Sequence, residues 1–206
     1  MTTKRLFLAL NATNPLAETF QPTFKKLKIN ADRRDITVKW VPLDNLHITL
    51  NFLGDRYVEE IPHIAHVLKQ VCEMTVPFEL KIEDISAFSS ETEARVLWLG
   101  VQNKKCLGKL KHDLDEALLQ AEILDHPDQR IFQPHLTIGR LRNPRSVKDM
   151  ISPFKRKSFG KLQVNEVVLY ESRQQGVYQV YTPLLRCPLT GSLALTVEDD
   201  AAVVAI

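Results

Sequence analysis

A four-residue pattern occurs twice in the chain, as His-Ile-Thr-Leu at residues 47–50 and as His-Leu-Thr-Ile at residues 135–138, 88 residues later. Because successive side chains of a strand point to opposite faces, each copy predicts a strand with histidine and threonine on one face and two aliphatic residues on the other. A proline stands shortly before each copy, at Pro42 and Pro134. Proline lacks a backbone N–H and suits the start or edge of a strand, so the two copies predict two half-buried strands of the same kind.

Each copy supplies one imidazole and one hydroxyl to the same strand face. Two such pairs facing each other across a cleft would provide a proton donor, a proton acceptor and two hydroxyls that hydrogen-bond an anionic oxygen, with no metal ion required. This combination indicates phosphoryl transfer, and the candidate residues are His47, Thr49, His135 and Thr137. A single H-x-T arises by chance in many proteins, and the alternative is that both histidines are ordinary strand residues.

Five segments, including the two copies with their flanks, carry a more specific pattern. They read Arg-Leu-Phe-Leu-Ala-Leu (5–10), Trp-Val-Pro-x-x-Asn-Leu-His-Ile-Thr-Leu-x-Phe-Leu-Gly (40–54), Val-Leu-Trp-Leu-Gly-Val (96–101), Pro-His-Leu-Thr-Ile-x-Arg (134–140) and Val-Val-Leu-Tyr-Glu-Ser (167–172). Together they resemble the 2H phosphoesterase superfamily, and within it the bacterial RNA 2',3'-cyclic phosphodiesterases, also described as 2'-5' RNA ligase-like proteins. The resemblance covers roughly residues 5–190. It departs at Gly139, where many relatives carry alanine or a larger aliphatic residue, and in the tail after Gly191.

The resemblance implies an α+β fold of two lobes related by a pseudo-twofold axis, in which antiparallel sheets line a central cleft and helices lie outside. It implies hydrolysis of RNA or nucleotide 2',3'-cyclic phosphate ends to a 2'-phosphate, with no cofactor and no metal ion. In the roles that it implies, His47 is the proton donor and His135 the proton acceptor. Thr49, Thr137 and Arg140 would bind the substrate phosphate.

The spacing of apolar residues predicts the remaining elements. Short segments rich in β-branched and aromatic residues predict strands at 5–10, 38–41, 46–53, 78–82, 95–101, 135–141, 166–170 and 178–182. Apolar residues at helical spacing predict two helices, one with Ile61, Ile64, Leu68 and Val71 and one with Leu107, Leu110, Leu114, Leu118 and Ala121. A weaker pattern predicts a helix over residues 16–28, which Pro22 would kink or split. Strand runs interrupted by two or three helices predict the α+β class.

Composition fits a globular protein without a linker. The chain has 206 residues, 44% of them hydrophobic and 25% charged, which suffices for a substantial core. We expect one domain over residues 1–190 and a tail of unknown role over residues 191–206. The sequence has neither an apolar run near 18 residues nor a secretory signal, and its three cysteines are widely spaced, which favours reduced thiols. These features predict a cytoplasmic protein without a membrane partner, and we expect a monomer.

A basic run follows the second copy of the pattern. Between residues 140 and 161 one acidic residue, Asp149, accompanies eight basic residues: Arg140, Arg142, Arg145, Lys148, Lys155, Arg156, Lys157 and Lys161. Such a cluster beside a phosphate site would attract RNA, and the alternative is a solvated loop. Four aromatic residues lie near the motifs, and one or two could stack on a base, with core packing as the alternative for each: Phe7, Trp40, Phe132 and Tyr181.

Other functions use the same residues. A member of the same superfamily could act on ADP-ribose 1'',2''-cyclic phosphate or on 2'-5' linked oligonucleotides. A ligase would run the reaction backward, from a cyclic phosphate and a 5'-hydroxyl to a 2'-5' bond, although hydrolysis should dominate in ~55 M water. A nucleotide-binding module without turnover belongs to a different class, and the intact histidine in both motifs counts against it.

Overall fold

The computed structural model describes residues 2–13, 16–126, 130–176 and 178–192. Within these ranges the chain forms nine strands: β1 (Thr3–Asn11), β2 (Lys39–Trp40), β3 (His47–Tyr57), β4 (Phe78–Phe88), β5 (Ala94–Gln102), β6 (His135–Arg145), β7 (Ser158–Val164), β8 (Glu166–Gln175) and β9 (Tyr178–Pro188). It also forms four α-helices: α1 (Leu16–Asp32), α2 (Ile61–Met74), α3 (Lys104–Gln120) and α4 (Lys148–Ile151). Short 3₁₀ helices occupy Leu43–Asn45, Val58–Glu60 and Ser152–Phe154.

The strands form one antiparallel sheet made of two halves. The order across the sheet is β7-β4-β5-β6-β3-β1-β8-β9, and β2 pairs with β6 outside this path. Each motif strand begins after a strand and a helix, as β1-α1-β3 in one half and β5-α3-β6 in the other. The halves meet between β3 and β6, where a single residue pair, Ile48 with Leu136, is in register. The predicted α+β architecture of two antiparallel lobes is confirmed, with the two lobes joined edge to edge.

Helices α2 and α3 bury the faces that their apolar spacing predicts. Ile64, Leu68 and Val71 of α2 are buried, and so are the four leucines of α3 at the predicted positions, Leu107, Leu110, Leu114 and Leu118. These side chains belong to one continuous apolar core that also contains the inward aliphatic residues of both motif strands. Burial of such side chains is the main favourable term in folding, at about 1.5–3 kcal/mol each. In the described ranges, the helices are too short or too polar to cross a bilayer.

Helix α1 runs through Pro22 without interruption. The prediction of a helix at residues 16–28 is confirmed, but the helix continues to Asp32 and is not split. Pro22 lies on the exposed side, between the buried residues Phe20 and Thr23. Because proline has no backbone N–H, it cannot donate a hydrogen bond to the carbonyl oxygen of Glu18. Glu18 is an exposed residue, so water can donate to that oxygen while the buried face of the helix stays packed.

The sequence prediction missed strand β7 and the short helix α4. Strand β7 pairs with β4 at the edge of the sheet, and its register shifts where Gly160 adopts a positive φ of 116°. This irregularity breaks the alternation of apolar residues, so the segment reads as part of the basic run instead of as a strand. Residues 193–206, most of the predicted tail, lie outside the described residues. The division at residue 190 therefore stays a prediction.

Candidate active site

The two copies of the repeated pattern begin two strands with the same exposure. His47 is the first residue of β3 and His135 is the first residue of β6. In both strands the first seven positions share one burial pattern: the histidine and threonine are half-buried, whereas the aliphatic residues between and after them are buried. Ile48 and Leu136 have no exposed surface. The predicted alternation is therefore present in both strands.

The pairing between the strands brings the two motifs together. Ile48 lies opposite Leu136 in antiparallel register. Continuing this register by one residue on each side places His47 across from Thr137 and Thr49 across from His135. The four polar side chains share the sheet face opposite to the buried aliphatic pair, so they surround the axis that relates the two halves.

Each imidazole ring forms the same kind of hydrogen bond, through Nδ1 to the backbone carbonyl two residues before it. Nδ1 of His47 lies 2.7 Å from the carbonyl oxygen of Asn45, and Nδ1 of His135 lies 2.8 Å from that of Gln133. A carbonyl oxygen only accepts hydrogen bonds, so Nδ1 carries the hydrogen in both rings. The Nε2 atom of each ring is then left for proton transfer, as acceptor when the ring is neutral and as donor when it is protonated.

The surroundings favour the neutral form of both rings. Burial lowers the pKa of His47, and the charges of His135 and Arg140 lower it further, against the opposing effect of the carbonyl of Asn45. Burial also lowers the pKa of His135, and the charge of Arg140 adds to this effect. A phosphate anion between the rings would oppose these effects, because a nearby negative charge stabilises imidazolium. Binding of an anion between the rings would therefore favour protonation of one of them.

A β-bulge in each motif strand redirects the residue five positions after the histidine. In β3, Leu50 is the extra residue, since Ala9 pairs with Thr49 and Leu8 with Asn51. In β6, Ile138 is the extra residue between the pairs Trp98–Thr137 and Leu97–Gly139. An extra residue reverses the alternation beyond it, so the fifth residue after each histidine returns to the face of that histidine.

The residues redirected in this way are Phe52 in β3 and Arg140 in β6. Strict alternation would place Arg140 on the face opposite to His135. With the bulge it reaches the site, where its charge adds to the effect of burial in lowering the pKa of His47 and His135. Burial raises the pKa of Tyr181, and the charge of Arg140 opposes this effect. Phe52 lies with its ring centroid 6.3 Å from that of Phe7, which in turn lies 5.3 Å from the ring of His47.

Aromatic side chains enclose His47. Tyr181 packs against its ring edge-on at 5.0 Å, and Phe7 stacks on Tyr170 at 5.2 Å behind it. Phe7 and Tyr170 are buried and form a small cluster separate from the main core. Two of the four predicted aromatic residues, Phe7 and Tyr181, thus contact the first histidine, whereas Trp40 packs on Phe24 against the main core.

An open cleft of about 680 Å³ adjoins His135 and Thr49. The ring of Phe88 packs edge-on against His135 at 4.9 Å, and Phe52 and Phe132 also line the cleft. The prediction included Phe132 as a candidate but missed Phe52, Phe88 and Lys111, which also faces the cleft. Strict alternation would place Phe52 on the opposite face, and the positions of the other two depend on contacts between elements that are distant in the sequence.

The basic run after the second motif does not form one surface beside the site. Lys155 is paired with Glu91, Lys157 donates to the hydroxyl of Thr23 at 2.8 Å, and Lys161 lies 2.7 Å from a carboxylate oxygen of Glu79. Strand β7, which ends the run, forms the edge of the sheet, three strands away from β6. Arg140 is the residue of this run whose charge affects the histidines. Three lysines of the run are thus engaged with neighbouring side chains, and a role of the run in RNA binding stays a prediction, with the solvated loop as its alternative.

Among the described residues, no three His, Cys, Asp or Glu side chains are close enough together to hold a metal ion. The site therefore consists of imidazoles, hydroxyls, one guanidinium and aromatic rings. Independence from metal ions remains a prediction for experiment.

Comparison with known proteins identifies the class to which this fold and site correspond. The family model of the 2'-5' RNA ligase superfamily matches residues 17–176. An RNA 2',3'-cyclic phosphodiesterase of Archaeoglobus fulgidus is 32% identical over 170 residues, which cover 82% of this chain and 90% of the relative. A protein of the same name from Methanothermobacter thermautotrophicus is 29% identical over 183 residues, 87% of this chain and 96% of the relative.

Solved structures agree with the sequence comparison. A protein of Thermus thermophilus superposes with a TM-score of 0.75 at 25% identity, covering 91% of this chain and 98% of its own. E. coli LigT in complex with 3'-AMP superposes with a TM-score of 0.70 at 26% identity, covering 92% of this chain and 99% of its own. The chain belongs to the 2'-5' RNA ligase superfamily. The family resemblance predicted from the motif segments is confirmed, and the related proteins carry the name of the activity that it implied.

Proposed function

We propose that this protein hydrolyses the 2',3'-cyclic phosphate at RNA or nucleotide ends to a 2'-phosphate, using two histidines as acid and base. The observation that carries the proposal is the matched pair of rings, each anchored through Nδ1 to a backbone carbonyl and each leaving Nε2 for proton transfer. The names of the relatives, RNA 2',3'-cyclic phosphodiesterase, support the same reaction.

The reaction needs a base and an acid on opposite sides of phosphorus. Water attacks phosphorus in line with the ribose O3', and His135 takes the proton from that water. The bond between phosphorus and O3' breaks, and His47 gives a proton to O3', which leaves a 3'-hydroxyl and a 2'-phosphate. The assignment of His47 as acid follows the family resemblance, since the two motifs have the same backbone geometry.

Three further side chains are suited to bind the phosphate. The hydroxyls of Thr49 and Thr137 lie on the face of the histidines and can donate to the non-bridging oxygens. Arg140 adds a positive charge where negative charge accumulates in the transition state. The same charge lowers the pKa of both rings in the absence of substrate.

Binding of the anionic substrate then sets the protonation states. Free enzyme favours two neutral rings, one of which is already competent as the base. The phosphate raises the pKa of the ring beside the leaving oxygen, so that this ring binds a proton and becomes the acid. Binding of the anion thus favours the state in which one ring is the acid and the other the base.

The proposal is tested by product analysis on a panel of substrates. Purified protein is incubated with nucleoside 2',3'-cyclic phosphates, ADP-ribose 1'',2''-cyclic phosphate and a 2'-5' linked dinucleotide, with and without EDTA. The expected result is a nucleoside 2'-phosphate that forms equally well with EDTA. Protein with both His47→Ala and His135→Ala serves as the control for contaminating activity. Exclusive 3'-phosphate, turnover of the other substrates alone, or binding without turnover would contradict the proposal.

A further inference from the structure

A lysine outside the two motifs lies on the same face of the sheet as the site. Lys39 of β2 is directly opposite Arg140 of β6 in antiparallel register. Side chains of directly opposite residues lie side by side on one face of a sheet. Lys39 therefore shares the face of Arg140 and of the two histidines, whereas the next residue, Trp40, packs on Phe24 against the main core.

Strand β2 lies along the same edge of β6 as the start of β3. The backbone N–H of Val41 donates to the carbonyl oxygen of Ile138 at 3.0 Å, and the register of β3 places His47 across from Thr137. Lys39 is therefore on the same side of β6 as His47, three residues further along β6. At about 3.3 Å per residue, this separates the two residues by roughly 10 Å along the strand. The flexible four-carbon stem of a lysine and one hydrogen bond can together span the distance to a phosphate held between the histidines.

Lys39 and Arg140 bring two like charges together without a counter-charge. Both residues are exposed, and within the described part of the chain neither side chain forms an ion pair or a hydrogen bond. By contrast, Lys155 and Lys161 are each paired with a carboxylate. Like charges directly opposite each other destabilise a sheet. An anion bound between Lys39 and Arg140 would remove this repulsion.

We propose that Lys39 binds the reacting phosphate together with Arg140 and favours the forms of that phosphate with more negative charge. The inference rests on the proposed function, which places the phosphate between the two histidines. A cyclic diester carries a single negative charge, whereas a phosphate monoester carries about 1.5 to 2 at pH 7. The attraction of a cation grows in proportion to the charge of its partner. Lys39 therefore holds the 2'-phosphate product more tightly than the cyclic substrate.

The two cations differ in their effect on the imidazole rings. The charge of Arg140 lowers the pKa of His47 and of His135, whereas Lys39 is not among the charges that do so. The ammonium of Lys39 therefore lies farther from the rings than the guanidinium of Arg140. Lys39→Gln should accordingly leave both limbs of the pH profile of kcat/KM in place, and movement of either limb would contradict this position.

The test compares two ligands that need no turnover. A nucleoside 2'-phosphate and the methyl diester of the same 2'-phosphate share base and ribose and differ in the charge of the phosphate. In Lys39→Gln we expect the dissociation constant of the monoester to rise by about 3- to 10-fold, between the effects of losing an exposed ion pair and a hydrogen bond to a charged group. The dissociation constant of the diester should rise less. Lys39→Arg, which keeps the charge, should bind both ligands nearly as wild type does.

Lys161→Gln is the matched control, because it removes one lysine charge from β7, at the far edge of the sheet. It should leave both dissociation constants unchanged. A selective loss of the monoester in Lys39→Gln supports the inference even if no hydrolysis is found, in which case the proposed function alone fails. Three results overturn the inference: no loss in Lys39→Gln, equal losses for both ligands, or equal losses in Lys39→Gln and Lys161→Gln.

Discussion

The two motif strands share a backbone but carry different side chains at matching positions. Both begin with a histidine anchored through Nδ1, both have a bulge after the threonine, and both show the same burial over seven residues. They differ at the fourth and fifth positions after the histidine, where β3 has Asn51 and Phe52 and β6 has Gly139 and Arg140. One backbone design therefore presents a histidine and a threonine in each half, while the residue that each bulge redirects gives one half a guanidinium and the other an aromatic ring.

The surroundings of the two histidines also differ, in how far each ring is enclosed by other side chains. His47 is packed between Phe7, which is buried, and Tyr181, which is half-buried. His135 borders an open cleft. An enclosed ring suits protonation of a leaving oxygen, which needs no access to solvent. A ring beside an open cleft suits activation of water, so the asymmetry agrees with the roles that the family resemblance assigns.

Loss of either histidine should reduce turnover more than any other single substitution considered below. We expect His47→Ala and His135→Ala each to reduce turnover of a cyclic phosphate by roughly 10²- to 10⁴-fold, because each removes a positioned acid or base. Thermal unfolding of each variant checks that the fold is intact. A folded variant with turnover close to wild type would show that its histidine takes no part in proton transfer.

The same two variants distinguish the proposed acid from the proposed base when the leaving group of the substrate is changed. A p-nitrophenyl phosphodiester needs little protonation of its leaving oxygen, so His47→Ala should lose much less rate on this substrate than on a cyclic phosphate. His135→Ala should lose as much on both, since each reaction needs an activated water. The opposite result would exchange the roles, and large losses in all four measurements would mean that both rings chiefly bind the phosphate.

Arg140→Gln should have the next largest effect, a decrease in kcat/KM on the order of 10²-fold. It should also shift the pH profile of kcat/KM. The charge of Arg140 lowers the pKa of both histidines, so its removal lets both values rise, and both limbs of the profile move to higher pH. Arg140→Lys, which keeps the charge, should leave the limbs near their wild-type positions. A profile that moves equally in both variants would show that charge is not the cause.

Gly139→Ala should affect stability more than chemistry. A Cβ atom at this position would lie 2.6 Å from Cγ1 of Val38 and 3.2 Å from the ring of Trp40. We expect a loss of about 1–3 kcal/mol in the free energy of unfolding, measured by urea denaturation, with nearly normal turnover per folded molecule. The matching substitution in the other strand, Asn51→Ala, leaves backbone packing intact and should cost about 1 kcal/mol through the lost hydrogen bond to Asp115. A stable Gly139→Ala protein would mean that β2 can shift to make room.

Sequence patterns predicted what depends on local spacing. The strands that begin at His47 and His135 and the apolar stripes of α2 and α3 follow from periods of two and of about three and a half residues. The bulges at Leu50 and Ile138 could not be predicted in this way, because a bulge is defined by the pairing with a neighbouring strand.

The bulges in turn explain what the sequence left open at the site. Arg140 was a candidate through the basic run and through the family resemblance, although strict alternation gives it the wrong face. Phe52 was not a candidate at all. Lys111 comes from a helix whose position beside β3 is fixed by packing and by the contact of Asp115 with Asn51, which no local pattern records.

The junction between the two halves also has a mechanical consequence. Nine residue pairs join β1 to β3, whereas one pair, Ile48 with Leu136, joins β3 to β6. Backbone bonding across the sheet is therefore weakest along the line that passes between the two histidines, and we expect the sheet to be most compliant there. A small rotation about this line would change the span between the imidazoles without disturbing either anchored ring. The distance between the two imidazole rings would then adjust to the size of the group bound between the two halves.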